Sequence, residues 1–258
     1  RQAIAALPAG RREVHETLDD GTPLAVSVER DGGRLRIDFT GTGGVHPRNF
    51  NATPAIVRSA VMYVVRLLVD ESIPLNEGLL RDVSIHVPTG LLSPIFREDP
   101  ARCPPVGAGN TETSQRIVGL LVRALDLAAA SQGTMNNVLF GNDRFGYYET
   151  LGGGAGATAA GPGASGVHTH MSNTRITDPE VLEQRYPVRL ETFALRRGSG
   201  GAGFRRGGDG LLRRVRFLEP VELSVVTGRR TSGPPGAAGG ADGAPGAQRL
   251  LRHDGAVV

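Results

Sequence analysis

Two histidines, His168 and His170, stand two positions apart in the segment Gly166-Val-His-Thr-His-Met-Ser-Asn-Thr-Arg175. In an extended segment both imidazoles point to one side and Thr169 to the other. That geometry suits a paired base, since imidazole titrates near neutral pH, or two ligands of a metal. Hydrogen bonding that pins a glycine-rich loop is the competing reading. No firm third ligand accompanies the pair, so no metal is expected. Glu149, before the run Gly152-Gly-Gly-Ala-Gly-Ala, closes a strand and enters a loop, and is the second candidate for a general base. Arg175 is close in sequence to both histidines and suits a bidentate grip on a carboxylate or phosphate, or a surface ion pair. Asn110 and Glu112 fall at a helix start, where free N–H groups attract an anion and an acid also stabilises the first turn. Gln132, Asn136 and Asn137 bring amide groups able to bond a polar substrate, although Asn also makes ordinary turns.

Other chemistry is excluded by what the chain lacks. All 29 basic residues are Arg, so a catalytic or Schiff-base lysine is impossible, and so is a P-loop, which needs one. Cys103 is the sole cysteine, which rules out an internal disulfide and a multi-thiolate metal site and fits a reducing compartment. A net charge of +3 is too small for a nucleic-acid footprint. No apolar run approaches the ~20 residues of a membrane helix. The expected location is cytoplasmic, with no nucleic acid and no membrane as partner.

The elements that hold these residues follow from periodicity. Residues 24–29 and 34–39 alternate around Asp31-Gly32-Gly33, a hairpin signature. Residues 55–71 repeat apolar side chains at helical spacing after Pro54, and 111–130 do so again behind Asn110 or Thr111 as N-cap. A strand is expected at 79–88. From 130 to 178, small and glycine residues preclude a separate core, so this stretch must lie over a scaffold. Within it Asp178 precedes Pro179 and Glu180 as a helix cap. Strands are expected at 188–195, 211–217, 221–226 and 248–253. The fold class is α+β, with a mixed, largely antiparallel sheet, two amphipathic helices and a β-rich, Gly-rich C-terminal region.

Several segments in fixed order, Ala108-Gly-Asn-Thr-Glu-Thr-Ser-Gln-Arg, Gly133-Thr-Met-Asn-Asn, Tyr147-Tyr-Glu, Gly152-Gly-Gly-Ala-Gly-Ala and the histidine segment continuing to Glu180, resemble the B-type subunit of the hydantoinase and 5-oxoprolinase family. Members are roughly twice this long, and the chain looks like their C-terminal half. Residues 1–22 then close a helix from an N-terminal half, 23–186 form the α+β core with its Gly-rich site loops, and 187–258 form the β-rich C-terminal region of the same domain. The resemblance implies ATP-dependent opening of a small cyclic amide, 5-oxoproline or a hydantoin, with an A-type partner subunit where ATP and Mg2+ are expected. It leaves open a related ketone carboxylase and a non-catalytic interaction module. A lactam carbonyl is a poor electrophile. ATP turns its oxygen into a leaving group, and the B-type chain then needs a base for water and donors for the developing charge. His168, His170 and Glu149 are the expected catalytic groups, with Gln132, Asn136 and Asn137 against the ring amide.

Overall fold

The computed structural model describes residues 1–252. A single helical turn, α1 (Gln2–Ala5), leads into β1 (Gly10–Thr17), which pairs along its whole length with β2 (Pro23–Asp31). The expected hairpin forms between β2 and β3 (Arg34–Asp38), with Asp31 opposite Arg34 and Gly32 at φ +55° in the bend. Alternation decides which side faces inward: Leu24, Val26 and Val28 of β2 and Leu35 and Ile37 of β3 are buried, while their sequence neighbours Arg34 and Arg36 stay out.

The helix expected after Pro54 is α2 (Pro54–Leu67), capped by the Thr53 side chain, which accepts from the Ile56 N–H, with proline in the first turn where no donor is lost. Its buried stripe is Val57, Ala60, Val61, Val64 and Val65. Then β4 (Val83–His86) joins β3 in parallel and completes a four-stranded sheet ordered β1-β2-β3-β4. The strand is shorter than expected because Leu79 and Leu80 belong to a tight helical turn, 77–80, capped by Asn76.

The second helix, α3 (Ser114–Ala124), ends well short of residue 130, and its polar residues Ser114, Gln115 and Arg116 do not face solvent. Its residues from Ser114 to Val122 are all buried, because α2 and the inner sheet face enclose it. Neither Asn110 nor Thr111 caps it; residues 109–113 instead form a widened π-type turn preceded by Ala108, with no side-chain cap. Such turns are often found at functional sites. Leu120 is fully buried here, so Leu120→Ala is expected to cost about 2–5 kcal/mol in urea unfolding.

The stretch from 130 to 178 lies over this scaffold and contains a hairpin the sequence did not reveal, β5 (Asn137–Gly141) with β6 (Gly146–Thr150). Helix α4 (Pro179–Arg185) starts as expected on the Asp178 side chain, which accepts from the Glu180 N–H. Strands β7 (Val188–Arg196) and β8 (Gly210–Phe217) form a two-stranded sheet, and β9 (Glu222–Val226) pairs with β5 in a second sheet ordered β6-β5-β9. Phe140, Phe145, Tyr147, Tyr186 and Phe217 pack their rings at the second core. No strand forms over residues 248–250, and His253 lies outside the described residues. The fold is thus α+β with predominantly antiparallel sheets. The boundary expected at 22/23 separates the two strands of one hairpin, and β9 returns from beyond residue 187 to pair with β5.

Candidate active site

The histidine segment is not extended. His170 has φ +58°, and the Ser172 N–H donates to the Thr169 carbonyl, so the chain turns at the second histidine. The two imidazoles therefore meet different neighbours instead of sharing one side. His168 Nδ1 lies 2.8 Å from Ser172 Oγ and its Nε2 3.4 Å from Thr174 Oγ1. Burial holds its pKa below the ordinary histidine range, against the opposing pull of the Glu149 charge. His170 packs edge-on to Tyr63 of α2, with ring centroids 6.0 Å apart, and burial pushes its pKa down to about 4. Glu149 is buried, and both oxygens are engaged: one accepts from the Thr177 N–H and the other pairs with the buried Arg213 guanidinium. It is the anchor of a loop. Arg175 is exposed and makes no ion pair among the described residues. Asn110 is exposed as well, with its carbonyl accepting from Ser114 Oγ.

Glu112 behaves differently. It sits in the widened turn before α3, 2% exposed, and its i+4 neighbour Arg116 shares its face of the helix. Both line a cavity of about 190 Å³. Its wall also includes Asp19, Asp20, Arg48, Phe50 and Arg229. Burial raises the Glu112 pKa to about 8, only partly opposed by hydrogen bonds from Thr134 and the Met135 N–H and by the charges of Arg116 and Arg230. Thr134 Oγ1 accepts from the N–H groups of Asn136 and Gly228, each at 3.1 Å, so its own proton is donated to Glu112 Oε1 at 2.8 Å. Oε2 faces Gly228, where an added Cβ would lie 2.8 Å from it.

Behind the cavity, Glu16 of β1 receives three arginines. Arg116 approaches at 2.8 Å, Arg229 at 2.9 Å and Arg123 at 3.3 Å. At the rim, Asp20 lies 2.6 Å from the buried His46 and 3.2 Å from the exposed Arg48. Burial works against its ionisation, but bonds from His46, Thr22 and Arg48 hold its pKa below the ordinary carboxylate range.

The amide residues divide. Asn136 accepts from Arg230 Nη2 at 3.0 Å, and neither residue is in the cavity wall. Gln132 donates to the Thr134 carbonyl at 2.8 Å, and its Oε1 is buried without a partner among the described residues. Asn137, 1% exposed, leaves both amide atoms unpaired on the same terms. Of the expected substrate-binding residues, Glu112 alone lines the cavity. Glu16, Asp19, Asp20, Arg48, Arg116 and Arg229 were missed. Arg116 was signalled by its spacing from Glu112; the others arrive from β1 and from loops distant in sequence.

The glycine run is packed backbone against backbone. Gly154 and Gly208 lie too close for side chains, and the Ala155 and Gly208 backbones share a hydrogen bond of 2.9 Å. Among the described residues, no three His, Cys, Asp or Glu side chains are placed to hold a metal ion. No described helix is long and apolar enough to cross a membrane.

The sequence model for hydantoinase B/oxoprolinase matches residues 1–257. The 5-oxoprolinase 1 of Arabidopsis thaliana is 46% identical over 245 residues, which cover 94% of this chain and 19% of the plant protein. An acetone carboxylase solved in a nucleotide-free state superposes with a TM-score of 0.78 at 18% identity, over 95% of this chain and 36% of its own. The ATP-dependent caprolactamase from Pseudomonas jessenii gives 0.69 at 23% identity, over 86% and 41%. The chain therefore spans about a fifth of the plant relative and about two fifths of the solved ones.

Proposed function

Because the chain belongs to the hydantoinase B/oxoprolinase family, we propose that it carries the ring-opening site of an ATP-dependent hydrolase of five-membered cyclic amides, working with an A-type partner where ATP is used. 5-Oxoproline is the first substrate to test, since the plant relative at 46% identity is a 5-oxoprolinase. The observation that carries the reading is the buried Glu112 in the wall of a cavity, with its pKa lifted to about 8. At neutral pH this carboxyl is protonated. Oε1 is committed as acceptor to Thr134, so the proton resides on Oε2 beside Gly228.

With the amide oxygen phosphorylated by ATP, water adds to the ring carbon and the C–N bond breaks to leave an acyl phosphate, which a second water hydrolyses to the carboxylate and inorganic phosphate. Glu112 gives its proton to the departing nitrogen, and the proton released by water restores the carboxyl. Arg116 and Arg229 beside it stabilise negative charge developing on oxygen. His168, His170 and Glu149 are not in the cavity wall, and we assign them to holding the loop that follows the glycine run.

The test is a substrate panel with the assembled enzyme and ATP: 5-oxoproline, a hydantoin, and a ketone with and without bicarbonate. Ring opening independent of bicarbonate is expected. Bicarbonate-dependent carboxylation of the ketone alone would replace the hydrolase reading. In the same assay His168→Ala is expected to lower turnover less than 10-fold with assembly intact. A loss of 100-fold or more would return the chemistry to the histidine loop.

A further inference from the structure

The charge around the cavity does not balance. Four guanidinium groups, Arg48, Arg116, Arg123 and Arg229, gather about the carboxylates of Glu16 and Asp20, and a third carboxylate, Asp19, lines the cavity and accepts from the Arg230 backbone N–H. One positive charge remains. The side chains of Arg116 and Arg229 are 3% and 5% exposed. Arg116 Nη1 and Arg229 Nε are buried with no hydrogen-bond partner among the described residues, although both residues line the cavity. A buried charged donor without an acceptor is costly, and the groups that relieve it best are oxyanions, which accept from the guanidinium fork. Gly133, held at φ +67°, gives the site its shape, because a Cβ there would lie 3.0 Å from Arg229 Nε.

We infer that this cavity is an oxyanion subsite, in which Arg116 and Arg229 receive either the carboxylate of a substrate or a phosphoryl group derived from ATP. A carboxylate seated there makes the preferred substrates acidic cyclic amides and places a ring bearing that carboxylate beside Glu112. A phosphoryl group seated there makes the cavity the receiver of the activated oxygen. The inference rests on the hydrolase reading only for the choice of probes.

The test is calorimetric binding to the full 258-residue chain of three probes: 5-oxoproline, 2-pyrrolidinone, which is the same ring without the carboxylate, and inorganic phosphate. For a carboxylate subsite, 5-oxoproline binds at least 10-fold more tightly than 2-pyrrolidinone, and Arg116→Gln removes at least 10-fold of that affinity. For a phosphoryl subsite, phosphate alone binds and shows the same Arg116 dependence. Because Arg116→Gln disturbs a buried ion cluster, the double variant Glu16→Gln with Arg116→Gln removes one charge of each sign and is expected to lose the same anion affinity. Equal affinity for 5-oxoproline and 2-pyrrolidinone with no phosphate binding, no anion binding at all, or anion affinity unchanged in both variants overturns the subsite. Ring opening is a separate readout. If it persists while the wild-type chain binds no anion, the subsite falls and the hydrolase stands. If anion binding depends on Arg116 but no ring is opened, the subsite stands and the hydrolase falls.

Discussion

Glu112→Gln is expected to lower turnover of the assembled enzyme by about 10²- to 10⁴-fold, the range over which a positioned proton donor contributes. The amide keeps the shape and still accepts from Thr134, so substrate affinity should change far less than turnover. In the wild type, kcat/KM should stay level up to about pH 8 and fall above it as the carboxyl ionises; in the variant that alkaline limb should vanish. The same substitution has a stability signature of definite sign. The unfolded chain releases this proton near the ordinary glutamate value of about 4.3, whereas the folded chain holds it to about pH 8. Between those limits the folded state binds more protons, so its stability falls as pH rises from about 4.5 to about 8 and then levels off. The charges facing the group, Arg116 and Arg230, moderate this slope without reversing it. Urea titrations at pH 5 and pH 8.5 should therefore show the variant gaining on the wild type by a few kcal/mol, to order of magnitude. A parallel pH dependence in both proteins would mean that Glu112 is ionised throughout, and the acid role would go with it.

Glu16→Ala should give the largest loss of stability, about 3–5 kcal/mol, because removing one side of a buried ion cluster leaves the other side uncompensated. Here the stranded side comprises three guanidiniums, two of them almost wholly enclosed. For a chain of this size the melting temperature should drop on the order of 10 °C. Glu16 lies on β1 and Arg229 follows β9, so the cluster ties the first strand to a loop more than 200 residues later. Loss of anion affinity in step with stability would identify the same residue as the support of Arg116 and Arg229. A melting temperature within 2 °C of the wild type would show that the arginines are sufficiently hydrated without it.

Local pattern made much of the scaffold legible. The β2–β3 hairpin, α2 with its proline start, the Asp178 cap and strands β7, β8 and β9 each declare themselves within about ten residues, because period, turn chemistry and capping are short-range properties. Strand β1 was hidden, since its sequence Gly-Arg-Arg-Glu-Val-His-Glu-Thr carries one apolar residue, Val14, and takes its order from the partner strand. The β5–β6 hairpin was hidden by its setting among glycines. Helix α3 read as amphipathic from its own residues, but enclosure by α2 and the sheet buried Ser114, Gln115 and Arg116 as well.

The site shows the same division. Residue order alone carried the family and marked Glu112 as an acid in a helix start, where exposure and burial give opposite chemistry. Only the packing around α3 desolvated that carboxyl and lifted its pKa. Sequence spacing also placed His168 and His170 together, but the left-handed backbone at His170 sends the rings to different neighbours. The sequence by itself determined the β2–β3 hairpin, α2, α4 and the late strands, the family and the absence of lysine chemistry, because these depend on nearest neighbours and composition. The tertiary structure decided which charges meet, since Glu16, Glu112 and Arg229 lie on separate elements and become one electrostatic unit only when the core excludes water between them.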